Sequence, residues 1–506
     1  MDHRLNPIND RKKTVYYDGS CPMCTLLIKK MDDSSAKGKF DPADITKKSL
    51  PQYLTKEQVE KEIHVTDSDG KVYKNAEALL KILEEYPQWK FLATIGQLPI
   101  LKQVLPIGYR VVAANRHFLF GQASRIFWLK TVVASGLIAG LLLSTKLWAG
   151  ARLFPLAPVF QNFLTLSPSL ETFLLLLLLG LLAAVLIFPK PQKLILSALL
   201  IATIFAFFDQ MRWQPWLYQY FFMLATLGLF SWNSTATEKQ QTVLHTNRLI
   251  VASIYFFSGL QKVNPLFMGS VFPWMIEPIA HLFPVSLQIF PVSLGSVVPF
   301  IEMAIGIGLL TKKYRNHAVA LALLMLGFIL CTLGPLGHNW NSVVWPWNVA
   351  MVLFVIILFW RAENFSARDI LWTKNFPFQR VVLVLFALMP IFSFFNLWDS
   401  YPSWALYSGN TARAELYISD SVKQKLPMEI QRYATRATAH ENVLDFFNWS
   451  FDELHVPPYP ETRVYKAIGQ YVCAYAENKD DVSLVIHGKP ALFNREQKST
   501  YDCSDL

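Results

Sequence analysis

The stretch Val15-Tyr-Tyr-Asp-Gly-Ser-Cys-Pro-Met-Cys24 decides how the amino-terminal part of this chain folds. Val15 to Asp18 is a β-prone run, and Gly19 and Ser20 punctuate it. A helical run opens at Cys21, with Pro22 at a tolerated first-turn position. A thiolate is the nucleophile of disulfide exchange, and unpaired N–H groups at a helix N-terminus lower a cysteine's pKa. The spacing predicts Cys21 as an exposed nucleophile at the end of a strand. Cys24, one turn on, would resolve the mixed disulfide. Asp18 fits two roles equally: proton shuttle for Cys24, or turn former. A structural disulfide is disfavoured in a reducing cytoplasm. A zinc site needs two more ligands, and His3, His64 and His117 stand at no recognised spacing, so no metal is expected. An inactive relic of the motif stays open.

Working outward, a second strand is expected at 40–45 and a polar helix at 56–62. Residues 63–67 and 71–73 flank the turn sequence DSDG and read as a hairpin, after which Asn75 caps the helical AEALLKILEEY. Strand, helix, strand, helix, hairpin, helix is an α/β layer pattern.

From Arg125 the pattern changes. Apolar runs near the ~20 residues of a bilayer crossing predict nine spans, at 126–146, 170–188, 192–208, 214–231, 247–263, 292–311, 317–333, 343–360 and 381–397. The expected organisation is a cytoplasmic α/β domain at 1–125, a multi-pass helical bundle at 126–397 and a small mixed α+β extracytoplasmic domain at 398–506. With 53% apolar and 17% charged residues among 506, disorder, collagen and small disulfide scaffolds are excluded.

The net charge of +10 reports orientation. Residues 1–125 carry 20 basic and 15 acidic residues, 126–397 carry 16 and 7, and 398–506 carry 11 and 15. Loops assigned to the inner side hold eleven Lys and Arg, against four on the other side (Lys146, Arg152, Arg212 and Lys262). That bias, with a polar start lacking a signal peptide's apolar core, predicts an inner-membrane protein with its N-terminus in the cytoplasm. No basic patch interleaved with aromatics supports nucleic-acid binding.

Ionisable residues within spans are functional candidates by default. Lys262 and Glu302 are the deepest; His338 and Asn348, with Asp209, Arg212, Asn339 and Asp399, fall near outer span ends and are expected to line one polar cavity. Glu302, His338 and Asn348 are the candidate cofactor-binding residues. Snorkelling of Lys262 with a structural Glu302 partner is the alternative. In the tail, Cys473 and Cys503 either pair or stand as two thiols, and Cys331 reads as a small packed hydrophobe.

Two resemblances follow. VYYDGSCPMC, HVTDSDGKVYKNAEALLKIL and YRVVAANRHFLFG resemble the DCC-type predicted thiol–disulfide oxidoreductases over roughly 13–122. The resemblance implies a thioredoxin-like fold and exchange with a redox partner protein or dithiol, with no cofactor required. No proline precedes the 63–67 strand, where thioredoxins place a cis-proline. FFDQMRWQPWLYQY, YFFSGLQKVNPLF, VVWPWNVAM and LWDSYPSWALYSGN resemble the horizontally transferred transmembrane family, which includes the vitamin K-dependent γ-carboxylase. That resemblance implies a lysine base at Lys262 and a quinone or lipid-like cofactor. It departs where Trp216 stands in place of the carboxylase's histidine. The leading expectation is a membrane-anchored thiol–disulfide oxidoreductase. A Lys262-centred membrane enzyme and a transporter or binding protein with a regulatory redox head are the alternatives.

Overall fold

The computed structural model describes residues 12–19, 21–32, 38–47, 50–87, 89–97, 102, 105–106, 109, 124–160, 165–230, 232, 237–281, 284, 293–362, 365–372, 376–438, 441–489 and 497–506. The chain divides into two compact units, Met1–Trp128 and Leu129–Leu506.

The first unit runs β1 (Lys13–Tyr17), α1 (Pro22–Asp32), β2 (Phe40–Asp44), α2 (Lys56–Lys61), β3 (His64–Thr66), β4 (Val72–Lys74), α3 (Asn75–Leu83) and α4 (Lys90–Gly96). The sheet order is β2-β1-β3-β4, with β1 parallel to β2 and antiparallel to β3, and β3 antiparallel to β4. Strand alternation sends Val15 and Tyr16 to opposite faces. Val15 and Val65 form one core with Ile28 and Met31 of α1 and Ala78 and Ile82 of α3. Tyr16 packs on the other face against Ile45, Leu54 and Val59, the last from α2. Helices therefore cover both faces, and each buried Val or Ile contributes roughly 1.5–3 kcal/mol of apolar burial. The predicted elements all form here. Asn75 lies inside α3 rather than capping it: its φ is +48°, and its carboxamide oxygen accepts the Ala76 N–H.

The second unit is mostly helical. Among the described residues, four helices are long and apolar enough to cross a bilayer: Arg125–Leu143, Pro168–Ile187, Arg315–Leu333 and Pro377–Phe395. Many of their large side chains face outward, including Phe173, Leu176 and Leu324, which is compatible with a membrane protein. Gln192–Phe208, Leu294–Leu310 and Val344–Phe359 are apolar but shorter. A 17-residue helix rises about 26 Å, short of the ~30 Å hydrocarbon core. The remaining two predicted spans differ more. The 214–231 window is the 14-residue helix Pro215–Gly228, and 247–263 is the later part of the 25-residue helix Thr237–Gln261, which begins with a polar turn. Apolar runs measure composition, whereas a crossing also needs an uninterrupted helix of sufficient length. Cys331 is exposed on its helix rather than packed.

Two polar devices hold the helices. Lys130, fully buried, donates to the carbonyls of Leu186 and Phe188 and so closes the carboxyl end of Pro168–Ile187. Arg212 reaches Glu171 at 2.5 Å and Arg152 reaches Asp209 at 2.7 Å. The carboxyl-terminal part adds a five-stranded antiparallel sheet, β5 (Arg413–Ser419), β6 (Ala434–Arg436), β7 (Glu441–Leu444), β8 (Val482–His487) and β9 (Lys498–Tyr501), in the order β6-β7-β5-β8-β9. A disulfide joins Cys473, at the end of helix Thr462–Cys473, to Cys503. This part docks on loops of the helical part: Glu453 accepts the N–H groups of Leu153 and Phe154, and Asn264 donates to Ser408 O.

Candidate functional site

β1 delivers the chain to the Cys-x-x-Cys pair. Beyond Tyr17 the chain turns through Asp18, whose carbonyl accepts the Cys21 N–H at 3.1 Å. α1 begins at Pro22, so Cys21 flanks its N-terminus and Cys24 lies in its first turn. The neighbouring strand ties this loop down. Asp44 Oδ1, at the end of β2, accepts the Gly19 N–H (3.1 Å), the Thr46 N–H (2.9 Å) and the Thr46 hydroxyl (2.7 Å). Position 19 has no room for a side chain, because a Cβ there would stand 2.2 Å from an Asp44 oxygen. Burial works against the Asp44 charge, but the bonds from Thr46, the Lys47 ammonium and the Gly19 N–H together hold its carboxyl below the usual range.

Both thiols are buried, Cys21 completely and Cys24 to 5% exposure, and Asp18 is buried beside them in sequence. A bare strand end predicts an exposed Cys21, and the structure buries it instead. The long-range tie to Asp44 is what local sequence could not show. A buried thiol meets a partner's disulfide only once its cover moves. Ile63 precedes β3, and its N–H donates to the Tyr109 hydroxyl at 2.9 Å. His64, paired with Tyr16 across β1 and β3, is buried, and burial pushes its imidazolium pKa down. Among the described residues no group of three His, Cys, Asp or Glu is placed to hold a metal ion; His3 and His117 lie outside them.

The second site lies in the helical unit. Helices Thr237–Gln261 and Val298–Leu310 meet backbone to backbone at two glycines. A Cβ on Gly259 would lie 2.5 Å from Pro299 O, and one on Gly306 would lie 2.8 Å from Ala252 O. That approach brings together residues 40 apart in sequence: Lys262 Nζ donates to Glu302 at 2.6 Å and to the Ser258 hydroxyl at 2.7 Å. Lys262 follows the last residue of its helix, and its side chain is 9% exposed, that of Glu302 4%. The three line a cavity of about 110 Å³ whose other walls are mostly apolar, including Ile254, Phe272, Met325 and Leu326.

Of the predicted cofactor residues, Glu302 and Asn348 line this cavity. His338 does not: it stacks on Trp274 at 4.5 Å, with Nε2 2.6 Å from Trp274 O. Asp209 and Arg212 belong to the buried charge cluster, and Asp399 binds the Tyr459 hydroxyl and Arg463. The single polar cavity expected of all these residues is therefore not one site. Trp216 fills its place as packing, wedged against Trp148 and Gly140. Ser258, Tyr255 and Trp404 were missed. Ser258 had a signal, since it precedes Lys262 by one helical turn.

A family model, DCC1-like thiol-disulfide oxidoreductase, matches residues 15–122. The match spans Asp18, Cys21 and Cys24 and supports thiol–disulfide oxidoreductase activity in this part of the chain. No curated protein and no solved structure is significantly similar to the chain.

Proposed function

We propose that this protein is a membrane-anchored thiol–disulfide oxidoreductase with Cys21 as nucleophile and Cys24 as resolving thiol. The observation that carries it is the pair at the β1–α1 junction, inside the segment matched by the family model. The order β2-β1-β3-β4 with β3 antiparallel to both neighbours supports a thioredoxin-like fold. The Cys21 thiolate attacks a partner disulfide, forming a mixed disulfide and releasing one partner thiolate. Cys24 then attacks the Cys21 sulfur, closing a Cys21–Cys24 disulfide and releasing the second thiolate, so two electrons pass to the partner. Asp18 takes the Cys24 proton. The partner is a protein or small dithiol, and no cofactor enters the exchange.

The helical unit anchors the domain in an inner membrane as a multi-pass protein. The eleven-to-four bias of loop cations supports a cytoplasmic N-terminus, and the Cys473–Cys503 disulfide supports an oxidising, extracytoplasmic side for residues 398–506. Thiol trapping in cells tests the exchange. Cys24→Ser accumulates mixed disulfides through Cys21, and Cys21→Ser abolishes them. If neither change alters any mixed-disulfide species, the proposal fails.

A second reading concerns the buried Lys262–Glu302 pair and its neighbour Ser258. It favours a membrane-embedded enzyme in which Lys262, held by Glu302 and Ser258, acts as base on a quinone or lipid-like molecule. The γ-carboxylase-like sequence blocks support the lysine and leave carboxylation without its histidine. Lys262→Ala with full activity retained would remove this reading.

A further inference from the structure

We infer that the cavity between the helical part and the carboxyl-terminal sheet binds a trimethylammonium group joined to a phosphate, as in phosphocholine. Trp274, Trp340, Tyr407 and Phe451 surround the cation, Glu415 balances it, and Arg413 takes the phosphate. The inference rests on neither functional reading above.

Three observations lead there. First, one wall is a corner of aromatic rings rather than a flat stack. In a cavity of about 730 Å³, a usual size for small-molecule sites, the Trp274 and Trp340 rings meet at 78° with centroids 5.8 Å apart. Trp340 and Phe451 meet at 52° and 4.4 Å, and Tyr407 leans on Trp274 at 35° and 6.4 Å. All four line the cavity and are only half-buried, so they keep accessible surface. A cation is attracted to the face of such a ring within about 6 Å. Elsewhere this unit supplies its own: Arg315 stands 3.4 Å and Arg248 4.0 Å from the Phe365 centroid. Among the described residues no Lys or Arg stands so over Trp274, Trp340, Tyr407 or Phe451. Second, Arg413 and Glu415 are two residues apart on β5 and so project from the same face of the sheet. Both are exposed and both line the cavity. Glu415 accepts the Tyr417 hydroxyl at 2.8 Å and forms no ion pair among the described residues. Third, the loops that carry the rings are set in advance. Asn339 and Asn341 flank Trp340 with φ of +51° and +50°, and Tyr407 holds +55°, an outlier for so bulky a residue. Such strain collects at ligand clamps. The Asn341 amide donates to the Tyr407 hydroxyl at 2.9 Å and ties the two loops together.

Charge and hydration narrow the class. A simple anion would face the Glu415 carboxylate and a simple cation the Arg413 guanidinium, whereas a zwitterion meets both. A guanidinium suits phosphate through paired N–H donors. A primary ammonium is compact and strongly hydrated, but a trimethylammonium has no N–H to satisfy and presents methyl groups to the ring faces. β5 is paired on both sides, by β7 and β8, so a peptide cannot add here as a strand.

Calorimetric titration of the purified full chain in a maltoside detergent tests this with phosphocholine, phosphoethanolamine and the carbon isostere of phosphocholine, in which a tert-butyl group replaces the trimethylammonium. Phosphocholine is expected to bind about ten-fold tighter than either, the size of a partly desolvated cation–π contact. Trp340→Phe should weaken phosphocholine about three-fold and leave the isostere unchanged. Arg413→Gln should weaken phosphocholine about five-fold and leave choline unchanged. Glu415→Gln should weaken choline about three-fold. Arg413 and Glu415 are exposed, so their variants keep the test readable if Trp340→Phe does not fold. A short-chain phosphatidylcholine that binds about ten-fold tighter than phosphocholine would assign the group to a lipid headgroup, and comparable or weaker binding would assign it to a soluble ligand; both fit the inference. No binding of phosphocholine, equal binding of phosphocholine and either the isostere or phosphoethanolamine, or unchanged affinities in Arg413→Gln and Glu415→Gln would each overturn it.

Discussion

Replacing Gly19 by alanine should uncover Cys21. The new Cβ would stand 2.2 Å from Asp44 Oδ2 and 2.3 Å from Oδ1. Relieving that overlap takes a retreat of about 1 Å, which carries the bonds Asp44 makes at 2.7–3.1 Å beyond hydrogen-bond range. A hydrogen bond to a charged group contributes about 1.5–3 kcal/mol. Losing the one that ties the loop, Gly19 N–H to Asp44, should thus favour opening by about 2 kcal/mol, or roughly 30-fold. The assay is maleimide labelling of the reduced full chain followed by peptide mass spectrometry, which separates Cys21 from the exposed Cys331. Cys21 in Gly19→Ala should label about 30-fold faster, with Cys331 unchanged as the internal control. Adding Gly19→Ala to Asp44→Ala should have little further effect, because the clash is already gone. Labelling within about three-fold of wild type, or fully additive effects, would refute the tie between Asp44 and the loop.

Other consequences can be measured separately. The lowered Asp44 pKa makes the same loop acid-sensitive: its contribution is complete above the unfolded carboxyl value near pH 4 and fades as pH falls through the lower folded value. Hydrogen exchange, corrected for intrinsic rates, should show protection of residues 13–19 lost on acidification in wild type and already reduced at neutral pH in Asp44→Asn. The 30-residue separation of Cys473 and Cys503 gives about 3.6 kcal/mol in the chain-entropy model. Cys473→Ser with Cys503→Ser should therefore lower the stability of the sheet-bearing carboxyl-terminal part by an amount of that order in denaturant titration. The disulfide should also be present in protein purified under thiol-blocking conditions.

What could be read from the sequence was what local periodicity and turn chemistry control. Val15 to Tyr17, the helix opening beside Cys21, the DSDG hairpin and α3 all lie within a residue or two of expectation, because each is decided by neighbours along the chain. The tie between Gly19 and Asp44 was not legible, since Asp44 sits more than twenty residues away and reaches Gly19 only because β1 pairs with β2. The Lys262–Glu302 pair was legible as two costly charges. Their meeting depends on Gly259 and Gly306 letting two backbones touch. His338 and Asp399 looked equivalent to Asn348 by position near a span end, and the loops carried them to Trp274 and to Tyr459 instead. Helix length supports four of the nine expected spans among the described residues; composition alone does not reveal that the helix beginning at Pro215 stops after 14 residues.

The central claim is that Cys21 and Cys24 form one redox couple, and a redox titration of the purified full chain tests it most directly. The protein would be equilibrated in glutathione or dithiothreitol buffers spanning roughly −300 to −120 mV, and the pair would be followed by mass spectrometry after alkylation. The account predicts a single two-electron transition within that range, ending in a Cys21–Cys24 disulfide and absent in Cys21→Ser, while Cys331 stays a thiol. No Cys21–Cys24 disulfide at the oxidising end would contradict it.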